Sequence, residues 1–545
     1  MPRLPHGLNI TPETARDARQ EVAARVADVP LGFAALKPVD LRRFDFLFPE
    51  LQEDPDNLLP VSRQTRNALR DLGLAMADDG TDDSAGDSRM SAAYTYFGQF
   101  VDHDITLEAS SAPGSRLTAP DLEPLPLHRI REDTQNVRTG VLELDSLYGL
   151  PAEKDPKDPG KMRVGKVDDL GQRPIPFSRP PGKADHNDLP REKRSVDVAH
   201  DRAALIGDPR NDENTIISQL HVAFLLAHNR LAEETEGPNR FRKAKRRLRR
   251  HYQHIVLHDF LKEIADRRIV NDTINNGNRV YDPSEDDFFM PLEFSVAAFR
   301  FGHSMVRSTY DFNVNFNTVG SPAGPATLGQ LFTFTALSGQ LGEDIGAPPP
   351  DADTLPENWI IEWENFFDPQ GGRPRSKARG IDTQLVEPLQ HLRIVTGQEE
   401  GGLAASLAAR NLLRGYLLRM PTGQAVARAL GQVFGSSREI PVLTEQQIRD
   451  AAANQGQIQA LEAGGFLNRT PLWYYILAEA AALGEGRRLG PVGSTLVAEV
   501  LVGLVRRSPD SILDPEVNWT PNLPRREDGE FMLADLLRFA GVLEA

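Results

Sequence analysis

Four polar side chains occur within six positions of an otherwise apolar segment, residues 96–106. They are Gln99, Asp102, His103 and Asp104. If the segment is helical, about 100° of rotation per residue places Gln99, Asp102 and His103 within one arc of roughly 100°. Asp104 then points away from that arc, so one face could address a cofactor and the other a second ligand. The alternative is a structural role, because a single buried histidine bonded to a neighbouring acid is commoner than a catalytic one.

The composition is that of a soluble, compact and rather acidic protein. The chain has 545 residues, a net charge of -16 and 40% hydrophobic residues, which is ample for a large core. It has no cysteine, so disulfides, thiolate metal sites and the attachment motif of c-type haem are excluded. Any metal or haem must therefore be held by histidine, carboxylate or carbonyl ligands.

The sequence has no apolar run long enough to span a bilayer, and its first residues lack the apolar region of a secretory signal. We therefore expect no membrane span and a protein that is cytoplasmic or exported by a non-classical route. The negative charge disfavours nucleic acid as a partner. The basic run of residues 242–250 is interpreted as a solvated helix face. The sequence does not predict the oligomeric state.

We predict two regions, an N-terminal arm over residues 1–39 and one domain over residues 40–545. Polar residues 78–88 are predicted to form a loop whose last residues cap the helix that carries His103. Residues 107–202 are rich in Pro, Gly and Asp and have no sustained helical period, which indicates a long irregular excursion. Excursions of that length are usually functional or disordered.

Within this excursion, groups that carry oxygen recur at every second residue of the segment 139–149. An extended loop with that alternation aims several oxygens the same way. A hard cation such as calcium takes about six to eight oxygen ligands, and Asp104 could complete such a shell. An ordinary solvated strand with acidic outer positions is the alternative.

A long helix is predicted from about Leu205 to Gly237, with Arg210 and Glu213 sharing a face at its first turn. The helix dipole accounts for acids in a first turn but not for an arginine there. A second long helix, about residues 242–265, carries His254 and His258 at ligand spacing. We favour a packing role for that pair, because a third metal ligand is missing.

One further histidine, His303, lies in the aromatic, apolar stripe of residues 291–306, which begins with a helix-starting proline. Gly302 would let a flat cofactor approach the backbone closely. Arg300, one turn before His303, could pair with an anionic group of the same cofactor. A core histidine stacked on phenylalanine is the alternative.

Together, these segments supply what a haem peroxidase needs. Haem iron takes an axial imidazole on one side, and peroxide chemistry needs a base and a cation on the other. His303, His103 and Arg210 would fill those three needs.

From about Phe44 to the C-terminus, the chain resembles the animal-type haem peroxidases of the peroxidase–cyclooxygenase superfamily, in their bacterial branch. Several motifs in the family order carry the resemblance. They are FGQFVDHD (97–104), LDSLYG (144–149), GDPRNDEN (207–214), HNRL (228–231), FRFGH (299–303), RNLLRG (410–415) and PLWYY (471–475). The resemblance implies a mainly α fold of the myeloperoxidase type with few short strands, such as Asp311 to Asn317. Helices from Gln424 to the C-terminus would pack behind the haem pocket.

The resemblance also implies a role for each matching residue. His103 matches the distal base, Arg210 the distal cation, and Gln99 the residue that holds distal water or a small anion. His303 matches the proximal iron ligand and Asn411 the side chain that accepts a hydrogen bond from it. Arg300 matches the partner of a haem propionate, and Asp102 and Glu213 match the acids that form haem esters. The implied calcium shell consists of Asp104, Thr139, the carbonyl of Val141, Glu143 and Asp145.

The implied activity is reduction of hydrogen peroxide at haem b with oxidation of halide, thiocyanate or phenolic donors, in keeping with an oxidative stress response. The first rival is a fatty-acid dioxygenase on the same fold. Those members have a radical-forming Tyr three residues before the proximal His, where this chain has Arg300. The second rival is a non-catalytic adhesion or binding protein, which the retention of His103, Arg210 and His303 disfavours.

Three departures from the family pattern bear on these roles. Glu143 stands where the family often has Asp, which weakens the calcium prediction. Asn214 follows Glu213 where myeloperoxidase has Met, so a sulfonium link to haem is excluded. Tyr416 replaces an Arg that is common in the Asn411 segment, and nothing in the sequence explains it.

Overall fold

The structure is a computed structural model. It describes residues 42–78, 80, 87–110, 117, 119–149, 152–167, 187–195, 201–282, 288–335, 354–368, 372–392, 403–526 and 529–544. The predicted N-terminal arm, residues 1–39, and most of the polar loop 78–88 lie outside these residues.

The fold is mainly helical, as predicted. The α-helices of the first half are α1 (Arg63–Ala75), α2 (Ala93–Ile105), α3 (Leu127–Asp133), α4 (Asp145–Tyr148), α5 (Thr215–Glu233), α6 (Arg240–His254), α7 (Leu261–Ile264) and α8 (Arg267–Asn276). Those of the second half are α9 (Leu328–Leu331), α10 (Leu407–Leu417), α11 (Gly423–Phe434), α12 (Glu445–Asp450), α13 (Gln455–Gly464), α14 (Leu472–Gly484), α15 (Pro491–Arg507) and α16 (Leu533–Ala540). Across the described residues, no helix is both long and apolar enough to cross a membrane.

The strands are few and short. They are β1 (Arg42–Asp45), β2 (Asp87–Ser91), β3 (Glu108–Ser110), β4 (Thr134–Asn136), β5 (Phe289–Pro291), β6 (Thr309–Tyr310), β7 (Ala326–Thr327) and β8 (Lys377–Arg379). One sheet has the order β3-β4-β1-β5, in which β1 and β5 run parallel with Arg43 opposite Phe289. The pairs β2–β8 and β6–β7 are antiparallel.

The strand predicted at Asp311 to Asn317 is wrong. This segment turns back on itself, because the Asn313 side-chain oxygen accepts the backbone N–H groups of Asn315 and Phe316 at 2.9 and 3.2 Å. Asparagine side chains favour turns by this local bonding. The strand there is β6, which ends just before the predicted segment.

Helix α2 is the centre of the described core. Ten of its residues are buried, among them Phe97 and Phe100. The Phe100 ring stacks on Phe224 of α5 with centroids 4.7 Å apart, and Phe97 meets Phe260 edge-on at 5.5 Å. Aromatic pairs at such distances add to the burial of apolar area. The packing holds α2 rigidly, and therefore also the polar side chains that it carries.

Three predicted element boundaries need correction. Arg210 precedes the long helix and lies in a separate 3₁₀ turn, Pro209–Asp212, because α5 starts only after the Asn214 side chain caps the Ile217 N–H. The helix of His303 does not start at a proline, since Pro291 ends strand β5, and a π-turn (Glu293–Ala297) and a 3₁₀ turn (Ala298–His303) follow. The polar loop does not cap α2, because strand β2 separates them.

The second long helix is continuous, as predicted, with a π-helical stretch (Ile255–Phe260) between α6 and α7. Its basic run is less solvated than expected. Arg246 pairs with Asp510, Arg247 with Glu234 and Arg249 with Glu143, at 2.9, 3.2 and 2.9 Å. These ion pairs tie α6 to the surrounding loops.

Candidate functional site

One cavity brings together the predicted site residues of three chain segments. Its volume is about 230 Å³, and much of its lining is apolar. The predicted residues that line it are Gln99, Asp102, His103, Arg210, Glu213, Arg300 and His303. Asn411 lies next to the cavity, in contact with His303.

His103 presents one ring nitrogen to the protein and the other to the cavity side. The side chain is 1% exposed, and its Nδ1 lies 2.8 Å from the Oδ1 atom of Asn211. Because a carbonyl oxygen only accepts, the proton of a neutral His103 is on Nδ1. Nε2 then carries the lone pair, which is the state required of a general base.

Arg210 is held by a buried carboxylate at the start of its own turn. Asp208, which is fully buried, accepts from the Arg210 Nε at 3.1 Å and from Nη2 at 2.7 Å. The same guanidinium donates to the backbone carbonyls of His103 and Thr106 at the end of α2. Arg210 is therefore locked beside His103.

The charges of this pair stabilise each other. Burial disfavours both ions, but Asp208 together with Asp102 and Glu213 raises the pKa of Arg210 above its ordinary value. Burial alone would raise the pKa of the Asp208 carboxyl. The guanidinium groups of Arg138 and Arg210 nevertheless hold that pKa far below its usual range. Both groups are thus charged at every physiological pH.

Gln99, Asp102 and Glu213 have protein partners within the cavity wall. Gln99 donates to the Glu213 carboxylate at 2.8 Å, and the Thr106 hydroxyl donates to Asp102 at 2.9 Å. The sequence alone showed no partner for either acid. Their carboxylates nevertheless line the cavity, from α2 and from the residue after the 3₁₀ turn.

His303 and its neighbours form a further part of the cavity wall. The Nδ1 atom of His303 lies 2.8 Å from Asn411, and the His303 ring meets Trp473 edge-on with centroids 6.3 Å apart. A Cβ atom added at Gly302 would meet no protein atom within 4 Å, so the backbone beside His303 is open towards the cavity. This open backbone fits the predicted close approach of a flat cofactor.

The direction predicted for the His303–Asn411 bond needs correction. Arg300 donates to the Oδ1 atom of Asn411 at 2.7 Å, so the amide turns its Nδ2 to His303. A guanidinium can only donate, and it therefore fixes this orientation. Asn411 accepts from His303 only if Arg300 releases its Oδ1 atom and the amide turns over.

The predicted calcium shell is not assembled. The Arg249 guanidinium donates to the backbone carbonyl and to the carboxylate of Glu143, at 2.8 and 2.9 Å. The Val141 carbonyl accepts a hydrogen bond from the Glu143 backbone N–H. Asp104 binds the backbone N–H groups of residues 144 and 146 at 3.1 and 3.3 Å. The described residues contain no group of three His, Asp or Glu side chains placed to hold a metal ion. Arg249 thus occupies Glu143, whereas Asp104 has no basic hydrogen-bond partner among the described residues: burial and the charge of the nearby Asp145 raise the pKa of Asp104. The calcium site therefore stays a prediction.

If Asp104 and Asp145 hold calcium, a chelator should lower the melting temperature of the purified protein, since an ion bound to the folded state is removed. Arg249→Ala should lower it by a few degrees, because Glu143 loses its partner in a mostly buried position. Arg487→Ala is the matched control, as both side chains of its ion pair with Glu485 are largely exposed. Thermal unfolding with and without chelator measures both effects, and a transition that the chelator leaves unchanged would contradict the calcium site.

Sequence reasoning missed two residues that hold the site together. Asp208 anchors Arg210, and Asn211 contacts His103. Both belong to the motif GDPRNDEN, from which we assigned only Arg210 and Glu213. Their positions directly beside Arg210 were the available signal. Their partners could not be identified without the tertiary structure.

Comparisons with known proteins agree with this fold. The family model described as animal haem peroxidase matches residues 128–333. A peroxidase-like protein of Margaritifera margaritifera is 28% identical over 273 residues, 40% of this chain and 32% of the relative. Thyroid peroxidase of Canis lupus familiaris is 25% identical over 511 residues, 82% of this chain and 49% of the relative. Peroxidase A from Dictyostelium discoideum superposes with a TM-score of 0.57 and 16% identity, covering 93% of this chain and 94% of that chain.

The chain is similar to animal haem peroxidases in sequence over residues 128–333 and to a peroxidase in fold over most of its length. Its mainly helical fold is that of the haem peroxidases. The chain spans about half the length, or less, of the curated relatives named above. Membership of the bacterial branch stays a prediction.

Proposed function

We propose that the protein is a haem peroxidase, an oxidoreductase that reduces hydrogen peroxide. The observation that carries this proposal is that His103, Arg210 and His303, which come from three separate segments, line the same cavity. The proposed cofactor is haem b, which supplies an iron that binds peroxide and stores two oxidising equivalents. His303 would hold it from one side, with Arg300 at a propionate and Asn411 behind the ligand.

The distal residues have distinct tasks in this proposal. His103 takes a proton at Nε2 from the bound peroxide and returns it to the leaving oxygen. Arg210 stabilises the negative charge that develops as the O–O bond breaks, in a position that Asp208 fixes. Gln99 holds water or a small anion beside His103. Donors that are halides, thiocyanate or phenols then return the electrons.

Arg300 also argues against a fatty-acid dioxygenase. The family resemblance puts the radical-forming Tyr of dioxygenases at this position, and Arg300 has no oxidisable group. Its guanidinium donates to Asn411 and to the Ser295 carbonyl instead. We therefore retain peroxidase as the proposed activity.

The test is a visible spectrum of the purified protein supplied with haem, followed by stopped-flow mixing with hydrogen peroxide and a phenolic donor. We expect a haem Soret band, a change in that band with one equivalent of peroxide, and its return on adding donor. A protein that binds no haem, or binds it and does not react with peroxide, contradicts the proposal. Oxygen uptake with a fatty acid would favour the dioxygenase.

We further propose that Asp102 and Glu213 form ester bonds with haem methyl groups. Each bond replaces one methyl hydrogen by a carboxylate oxygen, and one hydrogen peroxide accepts the two hydrogens released and becomes two waters. Both carboxylates line the cavity and come from different segments, so they can reach different edges of one cofactor. The bonds should therefore accumulate during peroxide turnover.

Denaturing mass spectrometry before and after a few equivalents of peroxide measures this linkage. We expect haem to stay with the polypeptide after treatment, less in Asp102→Ala or Glu213→Ala and none in the double variant. Glu108→Ala is the matched control, since Glu108 also lines the cavity but pairs with Arg414. Complete extraction of haem from treated wild type by acidified solvent would show that both linkages are wrong.

A further inference from the structure

Asn211 bridges two buried histidines, only one of which faces the cavity. Its Oδ1 lies 2.8 Å from the Nδ1 of His103, and its Nδ2 lies 3.0 Å from the Nδ1 of His221. His103 and Asn211 come from different segments, and His221 lies in α5. The three side chains are between 0% and 1% exposed, so bulk water does not compete for these bonds.

The two ends of the amide impose different tautomers on the two rings. Oδ1 accepts only, so His103 carries its proton on Nδ1 and directs a lone pair from Nε2. Nδ2 donates only, so Nδ1 of His221 accepts and the proton of His221 is on Nε2. His221 suits this task because burial lowers its pKa to about 3, although Asp208 acts in the opposite direction.

Packing limits any change in this arrangement. The His221 ring lies edge-on to Phe100 with centroids 6.0 Å apart, within the aromatic core of α2 and α5. Asn211 itself sits in the 3₁₀ turn Pro209–Asp212, which also carries Arg210. The carboxylate of Asp212, in the same turn, accepts two hydrogen bonds from Arg191 at 2.7 and 2.8 Å, and this ion pair also anchors the turn.

We infer that Asn211, supported by His221, is a positioning residue that holds His103 in its Nδ1–H tautomer with Nε2 towards the cavity. Asn211 would serve the proposed peroxidase function in this way. Only the effect on the peroxide rate rests on that function, whereas the tautomer does not. One turn then orients both distal groups, since it carries Arg210 and binds His103. A neutral amide does this without placing a negative charge against the His103 ring.

The tautomer itself gives a readout that does not depend on activity. ¹⁵N labelling of histidine in the full-length chain, studied in the diamagnetic ferrous carbonyl form if haem is bound, distinguishes protonated from unprotonated ring nitrogens. We expect wild-type His103 to be protonated at Nδ1 and His221 at Nε2. Asn211→Ala should give His103 as a mixture. Asn211→Asp still accepts from Nδ1 and should keep the proton there, but its negative charge should raise the pKa of His103, so that Nε2 is also protonated up to a higher pH.

Asn313→Ala controls for the loss of a buried amide, because Asn313 is fully buried and its amide bonds to backbone groups and to no histidine. It should leave both histidine tautomers unchanged. If Asn211→Ala leaves the His103 tautomer as in wild type, or if Asn313→Ala shifts it equally, Asn211 has no positioning role. His221→Phe should weaken the preference of His103 less than Asn211→Ala does.

The kinetic consequence is a slower reaction with peroxide at unchanged haem content. We expect Asn211→Ala to reduce this rate about 10- to 100-fold, since misorientation of a reacting group typically costs up to about 10²-fold. Asn211→Asp should recover that loss only in part, because its negative charge favours the protonated imidazole, which cannot act as the base. A wild type that binds no haem overturns the proposed function but leaves the tautomer measurement valid, so the two failures are distinguishable. Wild-type rates in Asn211→Ala together with a mixed tautomer would overturn the positioning role in catalysis.

Discussion

Replacing His303 with alanine should abolish stable haem incorporation. His303 lines the cavity and is the proposed iron ligand, and the chain has no cysteine that could ligate iron instead. Without the His303 imidazole, haem would be held only by contacts of its macrocycle and by Arg300. Gel filtration of the haem-reconstituted variant, with the ratio of Soret to protein absorbance, measures the loss.

His258→Ala is the matched control for this experiment. His258 is half-buried like His303, but it contacts His254 and does not line the cavity. It should retain haem at the wild-type ratio. If His303→Ala also keeps full haem with an unchanged spectrum, the axial ligand is another residue and the proximal assignment is wrong.

Replacing His103 with alanine should leave haem bound but slow the reaction with peroxide by about 10²- to 10⁴-fold, the usual contribution of general acid–base catalysis. Arg210→Ala should slow it by about 10²- to 10³-fold, comparable to the loss of one donor that stabilises developing charge. Arg210→Lys should recover little, because an ammonium cannot reproduce the several N–H contacts with Asp208 and the α2 carbonyls. Stopped-flow absorbance at the Soret band gives these rates.

Arg438→Ala is the control for the arginine variants. Arg438 is also buried and pairs with an aspartate, Asp272, at 2.7 Å, but it lies outside the cavity. It should react with peroxide as wild type does. Wild-type rates in both His103→Ala and Arg210→Ala would remove the distal roles of both residues.

Local patterns in the sequence predicted the parts of the fold that depend on near neighbours. The helix of His103 follows from the apolar positions between Tyr94 and Ile105, all within one element. Boundaries were less predictable where a side chain competes with the helix. Asn214 starts α5 five residues after Pro209, and Asn313 bends a segment that alternates like a strand. Each of these hydrogen bonds joins residues that are near in sequence. Whether it forms depends on which backbone groups already have hydrogen-bond partners.

The sequence by itself determined the chemistry available to this protein: a cysteine-free chain whose imidazoles, guanidinium groups and acids lie in separate segments. Only the tertiary structure decided which of them meet and in what orientation. Arg300 sets the direction of the Asn411 amide, and Arg249 occupies Glu143 from 106 residues away. An amide can present either end, and a carboxylate binds whichever cation is nearest. Their roles therefore depend on partners that only folding brings within hydrogen-bonding distance.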